Sequence, residues 1–89
     1  MPYIKVEDRQ KLVPHLDLLL KVMKEAGFLG AGHMNYAITY LLKEMYPESR
    51  GYKGINEAMG VLNCVSAEYY RRLAAPFEET KIQENGDVY

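Results

Sequence analysis

Tryptophan is missing from this 89-residue chain, cysteine occurs once, and neither charge sign dominates. Each shortage excludes something. A single Cys64 cannot close a disulfide within the chain, which removes the disulfide-scaffold class and sets the expectation of a reducing, cytoplasmic setting. Eleven Lys and Arg stand against twelve Asp and Glu, a net charge of −1. General nucleic-acid binding, which rests on a net basic face, is therefore not expected. The longest apolar run centres on "LDLLL", far short of the ~20 residues a membrane span needs, so no membrane partner is expected. The opening "MPYIKVEDRQK" is charged and carries no apolar core of a secretory leader. No segment alternates as a strand does, and neither repeats nor low-complexity stretches occur.

What the chain does have is apolar side chains, at 48% of residues. Its length suits one domain, residues 1–89. A domain this small buries only about 60% of the surface its unfolded chain exposes, so a lone monomer is marginal. Small size with a generous apolar content predicts a homo-oligomer.

The periodicity predicts an all-α fold of three main helices. Pro14 is expected to open the first helix, since proline suits the first helical position. Leu16, Leu19, Leu20, Met23 and Ala26 follow at helical spacing, and Gly27 is a C-terminal stop. "FLGAGH" reads as a hinge in which Gly30 and Gly32 supply permissive backbone angles. The second helix is expected from about Met34 to Tyr46, ending before Pro47. "PESRGYKG" reads as a turn-rich loop.

The third helix is predicted to start near Ile55. Ile55, Met59, Leu62, Val65, Tyr69 and Leu73 form a large-residue stripe. Gly60, Cys64, Ala67, Arg71 and Ala74 form a second, smaller row, at which another backbone is expected to come close. Pro76 should kink or restart the helix, "FEETKIQE" continues it, and Gly86 ends it.

"HMNYAITYLL" and "INEAMGVLNCVSAEYYRRLAAPFEETKIQENGDVY" together resemble a small family of uncharacterised bacteriophage and prokaryotic proteins. Its members carry an N-Y-A-I-T segment, a G-V-L-x-C helix, a Y-R-R-x-x-A-P-[YF]-E stretch and an E-N-G-D-V-Y end. Strong likeness covers about half the chain, with the opening "PYI" agreeing more weakly. The resemblance implies a prokaryotic or phage source and an intracellular protein; it carries no activity with it.

No catalytic set emerges. His15, His33 and Cys64 lack ligand spacing, so no metal or cofactor is expected, and Cys64 reads as a packed thiol. Glu78 and Glu79 are adjacent and diverge on a helix, which makes them a solvated face. Asn35 and Asn63 lie in packed helical stretches and need partners, either one another, a loop carbonyl or a ligand's polar edge. Tyr36 and Tyr40 share one helix side. Tyr70 is expected to face outward, where its ring is free for binding. An arginine such as Arg71 or Arg72 in a close-packed row needs an anion. A tail carboxylate (Asp87 or the terminus of Tyr89) and a phosphate are both open as that anion. The apolar Val88 and Tyr89 predict a docked tail, in a groove of this chain or of another copy.

These residues point to a non-enzymatic oligomeric binding protein with its ligand pockets between subunits. In type it is similar to phage sponge proteins that sequester a nucleotide immune signal, a small phosphorylated ligand. The alternative is a helical interaction module that blocks or scaffolds a host or phage protein.

Overall fold

The computed structural model describes residues 4–89. The described residues are all-α. Four α-helices, α1 (Val6–Glu25), α2 (Ala31–Met45), α3 (Gly51–Tyr69) and α4 (Ala75–Asn85), follow one another. A 3-10 turn (Glu48–Arg50) precedes α3, and a π-helical turn (Tyr70–Ala74) joins α3 to α4 without leaving the helical path. The chain divides into two units, Met1–Tyr40 and Leu41–Tyr89, and the division falls within α2.

In the first unit, α1 begins eight residues before Pro14, which lies inside the helix. Pro14 is thus not the helix start that its position suggested. Residues 1–3 lie outside the described residues, and from Val6 the segment ahead of Pro14 is helical. Glu7 and Asp8 in the first turn favour the earlier start through the helix dipole. Pro14 still has no N–H to donate, so the Gln10 carbonyl loses its helical partner, a local weakness within α1. Gly27 does stop the helix as its sequence position predicts. It takes φ 76°, its N–H donates to the Lys24 carbonyl, and the Phe28 N–H donates to the Met23 carbonyl at 2.8 Å. That pair of bonds is a Schellman closure.

The hinge expected at Gly30 and Gly32 is shorter than its glycines suggest. Neither has a positive φ, and Gly32 already belongs to α2, which starts at Ala31. The Met34 N–H donates to the Gly30 carbonyl, so the first turn of the helix absorbs the second half of the loop.

In the second unit, α2 ends at Met45, and the Arg50 N–H donates to the Pro47 carbonyl to close the 3-10 turn. Gly51, at φ 69°, reverses the chain into α3 four residues before the expected start. Ahead of Pro76, the Ala75 N–H donates to the Tyr70 carbonyl, five residues back. Pro76 would clash with the carbonyl four residues before it in an α-helix, and the wider π turn opens the ladder directly upstream. The α-helical ladder is therefore interrupted at the predicted junction. Gly86, at φ 85°, ends α4 as expected, its N–H donating to the Ile82 carbonyl.

No hydrophobic side chain among the described residues is buried. Leu16, Leu18, Leu19 and Leu20 of α1 are exposed, as are Ile55, Met59, Leu62 and Val65 of α3. The amphipathic pattern is therefore present in each helix and is not covered within it.

Candidate functional site

The densest polar cluster sits where α3 passes into α4. Arg71 and Arg72 follow Glu68 by three and four residues, the spacing that brings helical side chains together. The Arg72 Nε donates to Glu68 Oε1 at 2.7 Å, and Arg71 Nη2 donates to the same oxygen at 2.5 Å. The hydrogen bond from Arg72, supported by Arg71, holds the Glu68 carboxyl below its ordinary range. Across the π turn, the Tyr70 hydroxyl donates to Glu78 Oε2 at 2.9 Å. Donation to a carboxylate, together with the nearby negative charge, pushes the phenol pKa up.

The anion that satisfies the two arginines is thus Glu68, not a carboxylate of the tail. Val88 and Tyr89 are 89% and 109% exposed, and Asp87 accepts from the Val88 N–H. Among the described residues of its own unit the tail meets no groove, contrary to docking there, because residues 87–89 leave the helix axis at Gly86; the groove of another copy is the part of the expectation that stays open. Tyr70 faces outward as expected, at 52% exposed, while its hydroxyl is engaged by Glu78. The carboxylate partner was legible as a Glu three and four residues before a pair of arginines. The Tyr70–Glu78 bond was not, because it spans a turn of non-standard pitch.

The other expected site residues are distributed over the two units. In the first, Tyr36 and Tyr40 stack with ring centroids 6.3 Å apart. Asn35 beside them is exposed rather than packed. The Phe28 ring lies on His33 at 4.4 Å and nearly parallel, which gives that histidine a packing role in the helix connection. In the second unit Asn63 is exposed.

Cys64 is exposed, and open space surrounds Gly60, so neither the packed thiol nor the close crossing arises among the described residues. At about 100° per residue, the reason is visible along α3. Lys53, Glu57 and Glu68 fall on the same side as Gly60 and Cys64, which makes that side a solvated one. The opposite half of α3 carries Tyr52, Ile55, Ala58, Met59, Val61, Leu62, Val65, Ser66 and Tyr69, with no charge among them.

A second cluster ties the 3-10 turn down. Arg50 donates to the Met45 carbonyl at 2.8 Å and to Glu57 at 3.0 Å. Its guanidinium also lies 4.7 Å over the Tyr46 ring. Sequence reading missed this residue, which sat in what looked like a loop. Among the described residues no three His, Cys, Asp or Glu side chains gather as a metal site. No helix there is long and apolar enough to cross a membrane.

A family profile, Domain of unknown function (DUF6899), matches residues 1–88. The chain belongs to the DUF6899 family. This agrees with the resemblance drawn from the N-Y-A-I-T, Y-R-R and E-N-G-D-V-Y segments, an uncharacterised family with no activity attached. No curated protein and no experimentally determined structure matches this DUF6899 chain significantly.

Proposed function

We propose that this DUF6899 protein is a non-enzymatic binding module that works by joining its uncovered helical faces to another polypeptide. The observation that carries this reading is exposure of large apolar side chains on every α-helix, from Leu18 at 60% to Phe77 at 62%. Isolated exposed apolar residues are ordinary, but continuous apolar faces mark interaction surfaces. The polar groups at the π turn are engaged with one another, so they support a structural role better than acid–base chemistry. The reading puts the protein in a prokaryotic cytoplasm, which the single unpaired cysteine and the family likeness support.

Sequestration of a nucleotide-type signal by a phage-encoded sponge is the second reading. Its support is the convergence of two guanidiniums on one carboxylate oxygen, at Arg71, Arg72 and Glu68. A phosphate has the same fork-matching geometry, but it must displace Glu68 to bind there. Native mass spectrometry of the protein purified from its host separates the two readings. The module reading expects polypeptide-only assemblies, and the sponge reading expects a bound nucleotide that Arg71→Ala releases. On either reading the free Val88–Tyr89 tail is available to a second copy, and deleting residues 87–89 should then reduce the assembly mass.

A further inference from the structure

We infer that the uncharged half of α3 is a self-association surface whose occupant is the same half of α3 from a second copy of this chain. The inference rests on the binding-module reading above and names the partner. Ile55, Met59, Leu62, Val65 and Tyr69 on that half are between 37% and 64% exposed. The helix is 19 residues long, so the face extends about 28 Å, long enough for a continuous helix–helix seam.

Two observations select a second copy over an unrelated partner. The first is the patch itself. Every large apolar residue on that half is accessible, from Leu62 at 37% to Tyr52 at 75%, and a twofold contact uses one such patch twice, so this single face supplies both sides of the seam.

The second is charge. In a twofold interface the same patch faces itself, so any charge near the axis meets its own sign. All three charged residues of α3, Lys53, Glu57 and Glu68, lie on the far side, and the contact half has none. A partner of different sequence imposes no such requirement. The large residues at spacings of three and four also provide ridges that a like helix can receive.

Light scattering of the full chain over a dilution series, with circular dichroism on the same samples, tests this. The wild type should have at least twice the mass of one chain. Leu62→Glu should reduce it to a single chain or abolish folding, whereas Cys64→Ser, on the charged side, should leave the wild-type mass. Should Leu62→Glu lose its helices, Val65→Ala decides, with self-association at least about tenfold weaker from the two buried carbons removed. Wild-type mass in a folded Leu62→Glu, or unchanged affinity in Val65→Ala, overturns the assignment. A wild type that is a single chain, melts cooperatively and binds an apolar dye strongly overturns the second copy and leaves the binding-module reading standing. The same single chain without dye binding overturns both.

Discussion

A Cβ placed on Gly54 would lie 2.7 Å from the Cβ of Arg50, one helical turn before it. No real pair of carbons tolerates that approach, and the obstructing atom is the root of the Arg50 side chain, not its flexible end. Gly54 is the buried residue of α3, covered by the arginine that binds Met45, Glu57 and the Tyr46 ring. Glycine here is required by a neighbour, although its φ is ordinary.

Two glycine substitutions in one helix should therefore have opposite signs. Gly→Ala in a helix interior normally stabilises by up to about 1 kcal/mol. Gly60→Ala, with open space around it, should gain roughly that. Gly54→Ala should instead lose stability, because Arg50 must shift and release its contacts. Urea unfolding of both variants checks the pair, and a gain in Gly54→Ala would refute the Arg50 bracket.

Glu68 should give the protein an acid limb. Its folded pKa is lowered from 4.5 by Arg72 and Arg71, so its contribution is fully present above the unfolded value. That contribution is lost as pH falls through the depressed folded value. Melting temperature followed from neutral to acid pH should fall less steeply in Glu68→Gln than in the wild type. Both arginines are more than half exposed, so added salt should weaken the effect.

Tyr70 should act at the opposite end of the scale. Its pKa is raised from 10.0 by donation to Glu78. The stabilisation is complete below the unfolded value and disappears as pH rises through the elevated folded one. Tyr70→Phe should remove this alkaline loss, and the tyrosinate absorbance of the wild type should contain one late-titrating phenol that the variant lacks. Identical titrations in the two proteins would exclude the Tyr70–Glu78 bond.

Cys64 should react rapidly with a thiol reagent in the native protein, and Cys64→Ser should change stability by less than about 0.5 kcal/mol, as surface substitutions do. Slow labelling relieved only by denaturant would put Cys64 in a covered position and shift the contact face of α3 to its charged side.

The sequence spoke clearly where a local rule decides the outcome. Gly27 and Gly86 stop their helices because the left-handed cap favours glycine, and Pro76 interrupts a ladder because it has no N–H. Periodicity alone carried the all-α assignment. Starts of helices were misread at Pro14, Ile55 and Met34, where the chain ahead of the expected start is already helical. The row of Gly60, Cys64 and Ala67 was misread for a different reason. Small side chains suggest close packing, but Lys53, Glu57 and Glu68 share that side and keep it wet. Arg50 was illegible because its value depends on three partners, the Met45 carbonyl, Glu57 and the Tyr46 ring, gathered by a 3-10 turn, and short turns leave little periodic signal.

The π turn at Tyr70–Ala74 has a geometric consequence for anything that grips both α3 and α4. A wider turn accommodates about one residue more than the α-helix would, and one residue corresponds to about 100° of rotation. The extra residue is absorbed within the turn, so residues beyond it stand where an α-helix one residue shorter would put them. Phe77 is therefore about seven α-helical steps from Tyr69, ~700°, and lies within about 20° of the row that Tyr69 ends. A straight partner helix that follows this row on α3 can run on to Phe77 of α4. Deleting one residue from 70–74 should convert the turn to α-helix and keep that row in register, whereas a deletion in the α-helical part of α3 would rotate it by about 100°.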